Sequence, residues 1–184
     1  MQVYLDNAAT TKCDQKVIQV MQKALIKDYG NPSSLHKLGE KAKEELEQAR
    51  KIIAKKINAK SHEIYFTSGG TEANNLATRS LLANTKKKHI IISSTEHASI
   101  KELAKQLQKE GYKVTELQVN KEGYIQNLKE TIQKNTALLS IMHVNNEVGT
   151  IQNLKEIGKI AKENNILFHT DCVQSFTKLP INVK

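Results

Sequence analysis

Tryptophan is absent from this 184-residue chain, aromatic residues together make up only 4%, and there are just two cysteines, Cys13 and Cys172. Scarce aromatics argue against a nucleic-acid surface built on base stacking. The formal charge of +9 does not restore that reading, because the lysines are scattered along helical segments and run together only at Lys86–Lys88. A solvated, lysine-rich surface is the expectation. The two cysteines form neither a CxxC pair nor a metal-ligand spacing, so no metal centre is expected, and they fit a reducing cytosol. No apolar stretch nears the length of a membrane span. The start, MQVYLDNAATTK, has no basic head followed by an apolar run, so no secretory leader is expected. These absences point to a cytoplasmic chain that engages neither membrane nor nucleic acid.

What is present suits a packed core: 39% of residues are hydrophobic and 26% charged. The length fits one domain, or one domain plus part of a second. After Glu63 helical and strand patterns alternate, which is the signature of a mainly parallel α/β sheet flanked by helices. Strands are expected at Ile64–Thr67, His89–Ser93, Lys113–Gln118, Ala137–Met142 and Ile166–His169. Helices are expected over Glu72–Leu82, Ala98–Glu110, Asn127–Gln133 and from the Asn153 cap to Asn164, with a turn at Lys121–Gly123. Earlier come a helix from Asp14 to about Lys27, a loop at Gly30–Ser34 and a long charged helix over Leu38–Ile57. The organisation expected is an N-terminal arm over 1–12, a helical segment over 13–60 and an α/β domain over 61–184.

The densest chemical signal lies in Ile64–Leu76, IYFTSGGTEANNL. A strand, a tight turn at Ser68-Gly69-Gly70 and a helix opening at Thr71-Glu72 leave backbone N–H groups aimed at one spot, backed by the helix dipole. Such a spot suits phosphate. The Ser68 and Thr71 hydroxyls are candidate donors to it. The spacing matches neither the Walker pattern nor the dinucleotide fingerprint. In parallel sheets ligands gather beyond the carboxyl ends of the strands, and those ends are polar here: Thr67–Thr71, Thr95–His97, His143–Glu147 and Thr170–Gln174. Together they offer a phosphate cradle, an imidazole, an amide and a carboxylate.

With those residues in view, the chain resembles the amino-terminal part of a cysteine desulfurase, in the class V branch of the fold-type I pyridoxal-phosphate enzymes. The matching segments are YLDNAATT at Tyr4–Thr11, YGNPSSLH at Tyr29–His36, FTSGGTEANN at Phe66–Asn75, TEH at Thr95–His97, SIMHVNNEVGTIQ at Ser140–Gln152 and FHTDCVQS at Phe168–Ser175. They occur in the family's order and span essentially the whole chain. The resemblance implies the large cofactor domain of that fold, cut before its completion. It implies pyridoxal 5'-phosphate as cofactor, with Gly70 and Thr71 on the phosphate, His97 over the ring and moving protons, and Asn146 and Gln174 at the ring hydroxyl. Asp171 is implied to pair with the pyridine nitrogen and keep it protonated, so that the ring can act as an electron sink. Cys172 reads as packing, and Cys13 is not the family's catalytic cysteine.

Two covalent residues of the family are missing from these 184 residues. The Schiff-base lysine, which follows a serine–histidine pair, would fall about a dozen residues past Lys184, and neither Lys178 nor Lys184 sits in that motif. The persulfide-forming cysteine would lie far downstream. The expected function is therefore the amino-terminal portion of an enzyme that takes sulfur from L-cysteine, leaving L-alanine and a persulfide, for iron–sulfur or other sulfur assembly. Alone, the portion is expected to be inactive. The alternatives are a non-catalytic scaffold or cofactor-binding remnant, and another class V chemistry such as selenocysteine lyase or an aminotransferase. The partners implied are a second copy or a complementing chain, and a sulfur-acceptor or iron–sulfur scaffold protein.

Overall fold

The structure, a computed structural model, describes Met1 and residues 3–184. These form two compact units, Met1–Phe66 with Leu179–Lys184, and Thr67–Lys178.

The first unit is built on two helices, α1 (Gln15–Ile26) and α2 (Lys37–Lys56). Asp14 caps α1 by accepting from the Lys16 N–H at 2.8 Å, which satisfies one of the donors a helix start leaves unpaired. Lys23 on α1 reaches Glu45 on α2 at 3.0 Å. Val17, Ile18, Val20, Met21 and Leu25 all lie exposed, and α1 buries no residue. The loop at 30–34 folds hard onto the start of α2. A Cβ on Gly39 would run into the carbonyl oxygens of Ser34 and Asn31, so only glycine fits there. Beyond α2, Arg50 donates to the Ile64 carbonyl and its guanidinium lies 4.9 Å from the centre of the Phe66 ring. The Val183 N–H donates to Ile57 at 3.1 Å, which ties the last residues to this unit.

The second unit is a four-stranded sheet in the order β2-β1-β3-β4, parallel at every pairing. Its elements run α3 (Gly70–Ala83), β1 (His89–Ser93), α4 (Ala98–Lys109), β2 (Lys113–Leu117), α5 (Leu128–Thr131), β3 (Thr136–Ser140), α6 (Leu154–Glu163) and β4 (Leu167–His169). Alternation along β1 sorts side chains to two faces. Ile90 and Ile92 join Leu82, Ile100, Leu103, Leu107 and Leu138 in one core cluster. Ile91 joins Leu139, Ile157, Ile160 and Ile166 in the other. With both faces covered, the central strands read as continuous apolar runs, as parallel strands do. Full burial of one such side chain contributes about 1.5–3 kcal/mol.

One expected strand is not in the sheet. Ile64 is extended, with φ −97° and ψ 126°, but residues 64–67 join no ladder among the described residues. The pattern of β-branched and aromatic residues there reports backbone shape, whereas a strand also needs a neighbour to take its hydrogen bonds. A short 3₁₀ turn, Ser61–Glu63, precedes it. The remaining elements fall within a few residues of their expected limits.

Among the described residues no helix is long and apolar enough to cross a membrane, and no cluster of His, Cys, Asp or Glu is placed to hold a metal ion.

Candidate functional site

Parallel strands all end at the same edge of their sheet, so the segments after β1, β3 and β4 lie side by side. The loop after β1 carries Thr95, Glu96 and His97. The segment after β3 carries His143, Asn145 and Asn146, and the one after β4 carries Asp171 and Gln174. Two backbone links hold the segments after β3 and β4 in register, Ile141 N–H to His169 O at 3.1 Å and His143 N–H to Asp171 O at 3.0 Å, and Gln152 N–H to His143 O at 2.9 Å closes the stretch after β3 on itself. Each expected site residue is thereby placed at this edge or at the start of α3.

At α3, Gly69 is fully extended, with φ 167° and ψ 179°, and the first intrahelical bond runs from Ala73 N–H to Gly69 O. The N–H groups of the preceding turn have no intrahelical acceptor and carry the positive end of the helix dipole. A Cβ on Gly70 would meet Val173 Cγ2 at 3.3 Å, so the cradle is drawn tightly against the loop after β4. The Ser68 hydroxyl is not available in the way its sequence position suggests. Its Oγ and backbone N–H both donate to Glu72 Oε2, at 2.6 and 2.7 Å. Those two bonds, the hydroxyl's foremost, hold the Glu72 carboxyl below its ordinary range. Thr71 and the glycine backbone are left at the helix start without that engagement.

Asp171 is buried. Its Oδ1 accepts from the Val173 N–H and its Oδ2 from Asn74 Nδ2, both at 2.9 Å. Among the described residues no lysine or arginine pairs with it. Burial pushes the pKa of nearby His169 down, against the pull of Asp171, and its Nδ1 shares a 2.9 Å hydrogen bond with Ser140. A buried carboxylate with no cation is costly unless something cationic completes it.

His97 caps α4: its Nδ1 accepts from the Ser99 N–H at 3.1 Å and lies 2.8 Å from Ser99 Oγ. Asn145 is committed to structure, donating to Thr95 O at 2.8 Å and accepting from the Glu147 and Val148 N–H groups at 2.9 Å. The half-buried Asn146 follows it on the same loop, and Gln174 is likewise half-buried. Burial pushes the Cys172 thiol up.

Asn74, Ser99 and Glu96 belong to the site although the sequence did not single them out. Asn74 Nδ2 lies 2.9 Å from both Asp171 Oδ2 and Ser99 Oγ. Glu96 is only 4% exposed, and its Oε1 accepts from the Met142 N–H at 2.5 Å while Oε2 has no hydrogen-bond partner among the described residues. Burial, with a further push from Asp171, raises this carboxyl to about 8. The available signal was position: Glu96 precedes the histidine, and Asn74 lies one helical turn from Gly70.

A parallel sheet with a glycine-opened helix, a buried aspartate and a histidine gathered at its carboxyl edge defines the cofactor domain of a fold-type I enzyme. The sequence profile of the aminotransferase class-V family matches residues 3–184, and the chain belongs to that family. Relatives include a cysteine desulfurase IscS of Dictyoglomus turgidum, 48% identical over 99% of this chain and 47% of that protein. A mitochondrial cysteine desulfurase of Candida albicans is 49% identical over 98% of this chain and 38% of its own length. Among solved structures, a NifS-like protein superposes over the full chain with a TM-score of 0.95 at 36% identity, covering 52% of that chain. SspA in complex with cysteine does so over 98% of the chain with a TM-score of 0.93 at 41% identity, covering 53% of its own length. The chain thus spans about half the length of the relatives it matches. Enzymes of this family depend on pyridoxal phosphate, and its cysteine desulfurases act on L-cysteine. The donor set fits that cofactor: a helix start for a phosphate, and a desolvated carboxylate lacking a cation for a protonated ring nitrogen.

Proposed function

We propose that this chain is the cofactor-cradling amino-terminal half of a cysteine desulfurase, acting in a reducing compartment such as the cytosol. The observation that carries the reading is Asp171, a buried carboxylate fixed at both oxygens and, among the described residues, without a lysine or arginine paired to it. A protonated pyridine nitrogen completes it, with a charge-assisted bond worth about 1.5–3 kcal/mol. When bound, pyridoxal phosphate supplies an electron sink for the substrate α-carbon. The chain's own residues bind and orient. Gly70 and Thr71 take the phosphate at the start of α3, Asn146 and Gln174 take the ring hydroxyl, and His97 covers the ring and handles protons. Asn74 holds the Asp171 carboxylate in place. The lysine and cysteine that would carry the covalent steps are not among these residues, so the sulfur chemistry belongs to an assembly containing a complementary segment, whether from a partner chain or a longer product. L-cysteine is the substrate of that assembly. A second copy of the chain and a sulfur-acceptor or iron–sulfur scaffold protein are its partners.

Titration of the chain with pyridoxal phosphate, followed by cofactor absorbance, tests this reading. Saturable, non-covalent binding is expected, and Asp171→Ala should weaken it roughly tenfold to a hundredfold. Equal affinity in the variant, or no saturation, would overturn the assignment.

A further inference from the structure

Asp171 and His97 are joined by a continuous hydrogen-bonded chain: Asp171 Oδ2 to Asn74 Nδ2 at 2.9 Å, Asn74 Nδ2 to Ser99 Oγ at 2.9 Å, and Ser99 Oγ to His97 Nδ1 at 2.8 Å. Asn74 and Ser99 are both buried. The donors along this chain can be assigned from its chemistry. An ionised carboxylate only accepts, so the group Asn74 turns toward Asp171 is its NH₂. The other hydrogen of that NH₂ points to Ser99 Oγ, which therefore accepts. The Ser99 hydroxyl hydrogen is then left to donate onward to His97 Nδ1. An independent contact agrees, because the Ser99 backbone N–H also donates to Nδ1 at 3.1 Å. Two donors at one ring nitrogen leave it no room for a proton of its own.

We propose that Asn74 and Ser99 are positioning residues that transmit the charge of Asp171 to His97 and hold its ring as the tautomer protonated at Nε2, with Nδ1 as acceptor. His97 then enters the site as an Nε2–H donor of fixed orientation. In a histidine whose other nitrogen is unrestrained, tautomer and ring rotation are both open. Here the charge state of a residue at the end of β4 dictates which proton a residue on the loop after β1 carries. The functional weight of this rests on the roles given above to Asp171 and His97, but the geometry does not need the cofactor.

The test is made on the chain without cofactor. Long-range ¹H–¹⁵N spectra of the histidine rings, recorded at about pH 8, where a histidine of ordinary pKa is neutral, report tautomers directly, and loss of one set of signals in His97→Gln assigns the ring. Expected for the parent chain is one His97 species, with Nδ1 at an unprotonated, hydrogen-bonded frequency and Nε2 protonated. Ser99→Ala should shift the Nδ1 resonance and introduce a second species, and Ser99→Thr should restore the parent pattern. Asp171→Asn supplies the decisive arm. An amide there lets Asn74 turn over and compete for the Ser99 hydroxyl, so His97 Nδ1 should shift although Asp171 does not touch it. Amide spectra confirm that each variant is folded. A parent His97 protonated at Nδ1, or ring signals unmoved by both Ser99→Ala and Asp171→Asn, would overturn the proposal. Loss of cofactor binding with these ring signals intact would instead count against the cofactor reading alone.

Discussion

Glu96→Gln should make the chain more stable above mildly acidic pH and flatten the dependence of its stability on pH. The reason is the environment of the parent carboxyl, which is nearly fully buried, has one oxygen on the Met142 N–H and the other without a partner, and has a carboxylate in the neighbourhood. Its pKa rises from an ordinary 4.5 to about 8. Between those values the folded chain keeps a proton that the unfolded chain has released. Folding then binds protons, and stability falls as pH rises across that window, by at most about 1.4 kcal/mol per pH unit. At pH 7 the accumulated loss is of the order of 3 kcal/mol, a large share of an ordinary domain's stability. Below pH 4.5 both states hold the proton and the effect vanishes. Glutamine imitates the protonated acid in shape and never ionises. Lys101 and Asp171, the charged groups that act on Glu96, are unchanged in the variant, so the difference between the two proteins isolates this carboxyl. Urea unfolding at intervals from pH 5 to 9 would measure it. Curves that lie within about 1 kcal/mol near pH 5 and diverge upward, with the variant more stable by about 4 kcal/mol at pH 8, are expected. Parallel curves over the whole range would refute the argument, since they would show that Glu96 ionises alike in both states.

Other outcomes follow from the same structure. Leu139→Ala, at a fully buried position in the middle of β3, should destabilise the chain by about 2–5 kcal/mol, measured by denaturant unfolding. The chain alone should release no sulfide or alanine from L-cysteine beyond what free pyridoxal phosphate produces, because neither covalent residue lies within it; sustained turnover would show that another group substitutes. Size-exclusion chromatography with light scattering should reveal association, since α1 presents Val17, Ile18, Val20, Met21 and Leu25 to solvent. A monodisperse monomer would mean that this face is tolerated uncovered.

The sheet was legible because its strands announce themselves. Ile90–Ile92 and Ala137–Leu139 are unbroken apolar runs, and Gly111 and Asn153 mark the limits of helices α4 and α6. The segment 64–67 misled because propensity describes a residue's own backbone, whereas membership of a sheet depends on what lies alongside. The site was legible where chemistry sits at strand ends, as with His97 and Asp171. It was not legible at Asn74 and Ser99, since an asparagine and a serine on helices look like ordinary caps or surface until folding brings both within 2.9 Å of a common path. Nor does a sequence reveal that Ser68 is already engaged by Glu72, because that is a matter of rotamer.

The sheet's central strands and its last strand do not share equally in holding the site. β1 and β3 are each flanked on both sides, whereas β4 spans three residues, is paired among the described residues with β3 alone, and leaves Leu167 exposed. Asp171 hangs from that edge. A short border strand opens by local fluctuation at lower free energy than the interior. The amides of β4 should therefore exchange with solvent well before those of β1, and the carboxylate would lose its alignment while the rest of the sheet stays folded. On warming, such a chain would let go of its ligand some degrees before it melts, and a thermal scan of fold alone would overstate how long the site survives.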